Sequence, residues 1–126
     1  MQTLSVASIA DNNYEFVTPN QLLSMWALCG QYLASNEPGA AYLASEFAIP
    51  ETSAIRYVGR AFGNTWSKAG WYPSEGGSLS TTVDAGMVRE ETGDVVLAVM
   101  TNKGSDFSVI DSIVLELLEL HEHMVG

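Results

Sequence analysis

The sequence has one cysteine, few cations and no long hydrophobic run, and each shortage excludes a class of function. A single cysteine, Cys29, excludes an internal disulfide, and its place in an apolar helical pattern is typical of a buried thiol. Five Lys+Arg against fifteen Asp+Glu give a formal net charge of -10. This charge argues against a nucleic-acid partner, because phosphates require a basic surface. It argues equally against an anionic membrane surface.

The hydrophobic runs are also too short to cross a bilayer. Residues 95–100 form one of the longest, where a spanning helix needs about 20 apolar residues. The amino terminus lacks the basic start of a signal peptide, so neither a leader nor a membrane anchor is expected. No Cys/His set has zinc spacing, and we expect no metal and no cofactor. The cellular location stays open.

The residues that are present indicate one globular domain. The chain has 126 residues, of which 47% are hydrophobic, and this suits a single domain with a real core. Helical patterns in the first half and strand patterns in the second predict an α+β fold, an antiparallel three-stranded meander flanked by helices. The predicted parts are an N-terminal arm over 1–17, a helical part over 18–60, the meander over 64–102 and a C-terminal helix over 105–124.

Four helical segments are predicted from local signals. Thr18, Pro19 and Gln21 fill the N-cap, first-turn proline and capping-box positions of a helix start. Apolar residues then recur at helical spacing, namely Leu22, Met25, Trp26, Cys29 and Leu33. A shorter helix is predicted over 39–47, with one or two further turns within 51–59. The last helix is predicted to open at 105–106 and to bury a stripe formed by Phe107, Ile110, Ile113, Val114, Leu117 and Leu118.

The strand signals lie in the second half of the chain. Strands are predicted over 65–72, 81–89 and 95–100, with a turn-rich stretch over 73–78 and a hairpin turn over 91–94. The run 95–100 is apolar without alternation, which is typical of a strand covered on both faces.

Three segments in a fixed order carry a family resemblance. They are Thr18-Pro19 opening an amphipathic helix, the run 66–71 (Trp-Ser-Lys-Ala-Gly-Trp), and the run 83–88 (Val-Asp-Ala-Gly-Met-Val) followed by the apolar run 94–102. Over about residues 10–122 they resemble the C-terminal half of the class A serine β-lactamases and related penicillin-recognising DD-peptidases. In that family a Lys-Thr/Ser-Gly strand lines the active site and is followed by two strands and a final helix. The resemblance implies that Lys68, Ala69, Gly70 and Trp71 bind substrate.

The catalytic residues of this family have no counterparts in the chain. The family's chemistry requires a Ser-x-x-Lys nucleophile and a Ser-x-Asn element, and neither motif occurs. The nearest match, Thr65 and Lys68, places two side chains on opposite faces of a strand. Ala69 stands where the family has a hydroxyl residue. We therefore expect no catalysis by the chain alone.

Residues on this strand have functional and structural alternatives. Lys68 is either a cation for an anionic peptide terminus or a strand lysine paired with one of the many acids. Gly70 either allows a ligand backbone to approach or relieves packing against a helix. Trp66, Trp71 and Tyr72 form either an aromatic wall for a peptide or glycan, or anchors of a core or interface.

The remaining titratable residues predict no catalytic arrangement. Asp84 falls inside a strand and Glu90 and Glu91 at a turn, so no carboxylate pair is selected for glycoside chemistry. His121 and His123 are two residues apart on a helix and therefore diverge, which predicts a solvated helix end.

The run 95–100 also predicts an interaction with another chain. So apolar a strand is expected at the centre of a sheet, yet only the strand over 81–89 is a clear neighbour. An uncovered edge invites pairing, so Val95, Leu97 and Val99 are predicted to form a partner interface, with another protein or a second copy, unless residues 4–9 fill the place as a strand. In the family that the chain resembles, further strands from the N-terminal end fill it.

Three functional hypotheses follow. The first is a non-catalytic structural or binding module of a larger assembly, such as a phage tail component that contacts peptidoglycan of the bacterial cell wall. The second is half of a split DD-peptidase or β-lactamase-like hydrolase whose nucleophile comes from another chain. The third is a free-standing peptide-binding module that uses the Lys68 strand without chemistry.

Overall fold

The chain folds as helices followed by a three-stranded meander and a final helix. The computed structural model describes residues 17–72 and 81–125. The elements are α1 (Pro19–Leu33), α2 (Ala40–Phe47), α3 (Ala54–Gly59), β1 (Asn64–Tyr72), β2 (Thr81–Glu90), β3 (Gly93–Thr101) and α4 (Ser108–Val125). The predicted α+β class, with an antiparallel meander flanked by helices, is confirmed. The strand predicted over 4–9 and the turn over 73–78 lie outside the described residues.

The predicted start of the first helix is confirmed in detail. Thr18 Oγ1 accepts the Gln21 N–H at 3.1 Å, and Gln21 Oε1 accepts the Thr18 N–H at 2.8 Å. This reciprocal capping satisfies two amide donors that a helix start leaves unpaired. Trp26 and Leu33 are buried on the predicted face, and the Trp26 ring meets Phe47 of α2 edge-on at 5.4 Å. The cap stabilises the start of α1, and the apolar face packs α1 against the sheet.

The sheet has the order β1-β2-β3, with both pairings antiparallel. β1 and β2 pair from Asn64 opposite Arg89 to Tyr72 opposite Thr81. Within the described residues β2 is therefore the central strand, and β1 and β3 are the edges. The expectation that the apolar third strand lies at the centre is not met by the strands that the structure describes.

The β2–β3 hairpin is tighter than predicted. The strands continue to Glu90 and Gly93, so only Glu91 and Thr92 remain in the turn. Gly93 has a φ of 135°, a backbone conformation that L side chains rarely adopt. Glycine at this position lets the chain reverse within two residues.

Each face of the sheet carries a separate core. On one face, Ile55 of α3 and Ile110, Val114 and Leu118 of α4 pack with Leu97, Val99 and Val88 of the strands. On the other face, Trp26 and Leu33 of α1 pack with Ala85, Trp66, Val96 and Ala98. β3 thus contributes to both cores, and the prediction of a strand covered on both faces is confirmed.

The last helix begins later than predicted. It starts at Ser108 rather than at 105–106, because Ser105 has a φ of 50°, outside the helical range. Asp106 acts as a cap instead, since its Oδ1 accepts the backbone N–H of Ser108 at 3.0 Å and its hydroxyl at 2.6 Å. These hydrogen bonds hold the pKa of Asp106 below its usual range. Thr82 of β2 fixes this turn by accepting the Asp106 N–H at 2.9 Å.

β1 and β2 approach each other closely at Gly86. A Cβ atom at this position would collide with the carbonyl oxygen of Trp66 and would lie 2.7 Å from the Cα of Ser67. Both obstacles belong to the backbone of β1, which cannot move aside without separating the strands. Gly86 is thus required by the geometry of the sheet.

We expect Gly86→Ala to destabilise the fold by about 1–3 kcal/mol, the usual cost of overpacking. Gly70→Ala is the matched control on the neighbouring strand, because no atom lies within 4 Å of the Cβ that it adds. The free energy of unfolding of Gly70→Ala should stay within about 0.5 kcal/mol of that of the parent protein. Urea denaturation measures both variants. Equal stability of Gly86→Ala and the parent would contradict the close approach.

Candidate functional site

An open groove of about 310 Å³ runs along β1. One wall is the end of α2 with the loop that follows it, and the other wall is β1, which is an edge strand within the described residues. An edge strand presents unpaired backbone groups to an extended ligand. The lining side chains that define its chemistry are the apolar Phe47, Pro50 and Trp71 and the charged Glu46, Glu51 and Lys68.

Three of the four predicted substrate-binding residues line this groove. They are Lys68, Ala69 and Trp71, while Gly70 lies on β1 between two of them. Trp71 is 48% exposed, and its ring meets Phe107 edge-on at 5.7 Å. Because side chains alternate along a strand, Ala69 and Trp71 face α3 and α4, whereas Lys68 and Gly70 start from the opposite face. The structure therefore brings these residues to one edge but not to one face.

Lys68 has a different partner from the one that the structural alternative predicts. Its ammonium donates to the carbonyl oxygen of Ala69 on its own strand, and no carboxylate of the described residues forms an ion pair with it. The acid partner of the structural alternative is thus not found among the described residues, and that alternative stays a prediction. An ammonium has three N–H donors, so donors remain for an anionic ligand at the groove.

Gly70 is open to its surroundings. No atom lies within 4 Å of the position that a Cβ would take, so the alternative that Gly70 relieves packing against a helix is wrong. The backbone here is accessible, as the functional alternative requires.

The loop wall of the groove is held by two residues of α3 that the sequence did not single out. Arg56 Nη1 donates to the Pro50 carbonyl oxygen at 2.5 Å, and the Tyr57 hydroxyl donates to the Glu51 carbonyl oxygen at 2.9 Å. Both acceptors lie in groove-lining residues. An Arg-Tyr pair in a short helix gives no sequence signal that it holds a loop. The two side chains bond to backbone carbonyl oxygens, so their partners cannot be recognised by residue type.

A buried polar cluster fixes α3 against the sheet. Ser53, the N-cap of α3, donates its hydroxyl to Asp84 of β2 at 2.9 Å, and the Ile55 N–H donates to the same carboxylate oxygen at 2.9 Å. The hydroxyl of Ser67 on β1 lies 2.7 Å from that of Ser53. Asp84 and Ser67 are both 0% exposed. One helix end and two strands are thus joined by hydrogen bonds in a dry environment, where such bonds matter most.

Burial raises the pKa of the Asp84 carboxyl, and the hydrogen bonds from Ile55 and Ser53 oppose the shift only in part. A serine next to a carboxylate resembles a nucleophile with its base. Ser67 is among the groove-lining residues, but it is 0% exposed and its hydroxyl is engaged with that of Ser53, which is 2% exposed. The cluster is therefore structural. Sequence reasoning placed Asp84 inside a strand but could not identify its partners, which are 31 and 29 residues away.

The residues predicted for a partner interface lie in the core. The side chains of Leu97 and Val99 are buried against α3 and α4, and Val95 packs against the same cluster. The outer edge of β3 can therefore bind another chain through its backbone groups. The side chains beside that edge are already packed on both faces of the sheet.

His121 has a partner that the expectation of a solvated helix end missed. Its Nδ1 lies 3.4 Å from Glu90 Oε2, within ion-pair distance but not aligned for a hydrogen bond. The Glu90 side chain is only 6% exposed. This pair joins the end of α4 to the β2–β3 hairpin, while His123 is exposed as predicted.

The chain matches nothing when it is compared with protein-family models, with curated proteins and with solved structures. Among the described residues no group of three or more acidic, histidine or cysteine side chains is placed to hold a metal ion. None of the described helices is both long and apolar enough to cross a membrane. The β-lactamase resemblance therefore stays a prediction, and the function is argued from the geometry.

Asp84 makes a pH-dependent contribution to stability whose sign follows from its raised pKa. The unfolded chain ionises this carboxyl near the ordinary value of about 3.9, whereas the native protein keeps its proton to higher pH. The native state then binds more protons than the unfolded state, so this contribution to the free energy of unfolding falls as pH rises from about 4.

We expect Asp84→Asn, which keeps an acceptor for the Ile55 N–H, to remove this decline. The stability of the parent relative to Asp84→Asn should be greatest at acid pH and fall as pH rises. Asp84→Ala leaves two buried donors unpaired and should cost about 1–3 kcal/mol at acid pH. Urea denaturation between pH 3 and pH 8 measures all three proteins. A pH-independent difference between the parent and Asp84→Asn would show that the carboxyl titrates alike in both states.

Proposed function

We propose that this chain is a non-catalytic, β-lactamase/DD-carboxypeptidase-like module that binds within a larger assembly and is completed along β3 by another chain. The observation that carries the proposal is the position of β3. It contributes apolar side chains to both cores, yet within residues 17–72 and 81–125 it ends the sheet. Exposed strand edges are templates for pairing with a further strand.

The order of the strands supports the resemblance on which the proposal draws. In the β-lactamase and DD-peptidase family the Lys-Thr/Ser-Gly strand lines the active site, and further strands add beside the apolar strand. Within the described residues the strand with Lys68 is one edge of the sheet and the apolar β3 is the other. The resemblance further favours a setting in which the module contacts bacterial peptidoglycan, for instance in a phage tail.

The non-catalytic part of the proposal rests on the nucleophile. Ser-x-x-Lys does not occur in the sequence, and the buried hydroxyls of Ser53 and Ser67 serve the Asp84 cluster. Thr65 is buried on the face of β1 opposite to Lys68. Of these three hydroxyl residues Ser67 lines the groove, and its buried hydroxyl is engaged with that of Ser53.

The second candidate is half of a split serine DD-peptidase, and the groove favours it. Lys68 stands beside an open strand edge, with an accessible backbone at Gly70. A separate chain that carried a Ser-x-x-Lys helix to this groove would complete a catalytic site for acyl-D-Ala-D-Ala or β-lactam substrates.

A penicillin-type covalent probe separates the two candidates. We expect the purified chain to keep its intact mass after incubation with a fluorescent penicillin, because the Ser-x-x-Lys motif that opens a β-lactam ring does not occur in its sequence. An adduct on the chain alone would contradict the non-catalytic proposal. An adduct formed only when the product of the adjacent reading frame is present would replace it with the split enzyme.

A further inference from the structure

The cations of this chain are few, and most of them have a carboxylate or a backbone partner. Arg89 pairs with Asp94 at 3.1 Å, and the charge of Lys103 helps to lower the pKa of Asp106. Arg56, Arg60 and Lys68 have no carboxylate within ion-pair distance among the described residues, and of these three cations the two arginines lie close together, on α3 and at its C-cap. In a chain with fifteen acidic residues, two neighbouring arginines that lack a carboxylate partner among the described residues, one in α3 and one at its C-cap, require an explanation.

Both arginines are held by one aromatic ring. The guanidinium carbons of Arg56 and Arg60 lie 5.1 Å and 5.5 Å from the centre of the Tyr57 ring, within the range of cation–π attraction. The Tyr57 ring is fixed through its hydroxyl, which donates to the Glu51 carbonyl oxygen, and the residue is 45% exposed. The ring holds two cations beside each other. Among the described residues Arg56 also donates to the Pro50 carbonyl oxygen, and neither guanidinium group pairs with a carboxylate.

This arrangement has a cost within the isolated chain. Arg56 and Arg60 are four residues apart, so their like charges repel each other across one helical turn. The structure offsets the repulsion by stacking rather than by neutralising the charge. Planar guanidinium groups held in this way are suited to bidentate hydrogen bonds with carboxylates.

We propose that Arg56, Tyr57 and Arg60 form a docking surface for a pair of carboxylate groups on a partner peptide segment. The occupant follows from charge complementarity, since two cations without a carboxylate partner among the described residues lie beside each other in a chain of net charge -10. A polyanion is disfavoured because the net charge of -10 repels it at long range. The segment that fits has two neighbouring acidic residues, and the net negative charge of the whole segment is small.

The surface adjoins the groove, although the proposal does not depend on a ligand there. Arg56 and Tyr57 hydrogen-bond to Pro50 and Glu51, which line the groove from the other side of the same loop. A partner that docks on this surface therefore contacts the loop on its side away from the groove. This goes beyond completion of the sheet at β3, because it engages side chains of α3 and its C-cap rather than the backbone edge of β3.

The experiment is a heteronuclear NMR titration of the full chain that observes the Nε–Hε signals of the arginines. The probe is the blocked peptide acetyl-Lys-Glu-Glu-Lys-amide, and acetyl-Ser-Gln-Gln-Ser-amide is its uncharged control. We expect the Arg56 and Arg60 signals to shift with the acidic peptide only. Arg60→Gln should weaken binding at least about 3-fold, and added salt should weaken it further. Lys103→Gln is the matched control, because it removes one positive charge outside α3 and should leave the affinity unchanged.

Three results would overturn the proposal. One is the absence of shifts at Arg56 and Arg60 up to millimolar peptide. Another is an equal loss of affinity in Lys103→Gln, which would indicate unspecific attraction. The last is saturation of the same signals by inorganic phosphate at lower concentration than by the peptide, which would identify a phosphate site. Arg60→Gln is preferred to a change at Arg56, because Arg56 also holds the Pro50 loop.

Discussion

The buried carboxyl of Asp84 determines where α3 lies, and the position of α3 determines much of the remaining surface. Asp84 receives hydrogen bonds from Ser53 and from the Ile55 N–H, so the first turn of α3 is fixed on β2. Ser67 ties the same cluster to β1, and Gly86 provides the close approach of β1 to β2 that this requires. Because the cluster is dry, an unpaired member would cost more than a surface hydrogen bond contributes. The packing of α3 against α4 and the loop before α3 both depend on this anchor.

The two edges of the sheet have different chemistry, and this difference suits a module that binds within an assembly. The β1 edge faces a groove with mixed apolar and charged walls, and Lys68 and Trp71 stand at its rim. The β3 edge offers backbone groups between two packed cores, because its side chains are already used on both faces. A ligand at β1 would thus be recognised by side chains. A partner strand at β3 would instead be bound mainly by main-chain hydrogen bonds.

The sequence predicted the local structure well where the signal is local. The capping box of Thr18 and Gln21 and the apolar face of α1 depend on residues within a few positions of each other, and both were found as predicted. The start of α4 was predicted too early, because the left-handed Ser105 and the cap at Asp106 depend on contacts with Thr82 far away in the chain. The partner of His121 was missed for the same reason. The groove residues on β1 were predicted through the family resemblance, but their loop wall was not, since its hydrogen bonds from Arg56 and Tyr57 end on backbone atoms.

Our central proposal is that another chain completes the sheet along β3, which is an edge strand within the described residues. Residue-resolved hydrogen exchange of β3 tests this claim most directly. In an antiparallel edge strand alternate amides point away from the neighbouring strand. In the monomeric protein we predict that every second amide between Asp94 and Met100 exchanges at least about 100-fold faster than its neighbours. In an assembled form the fast amides should become protected. Uniform protection of all these amides in a sample of monomeric mass would contradict the claim, because the chain would then close its own sheet.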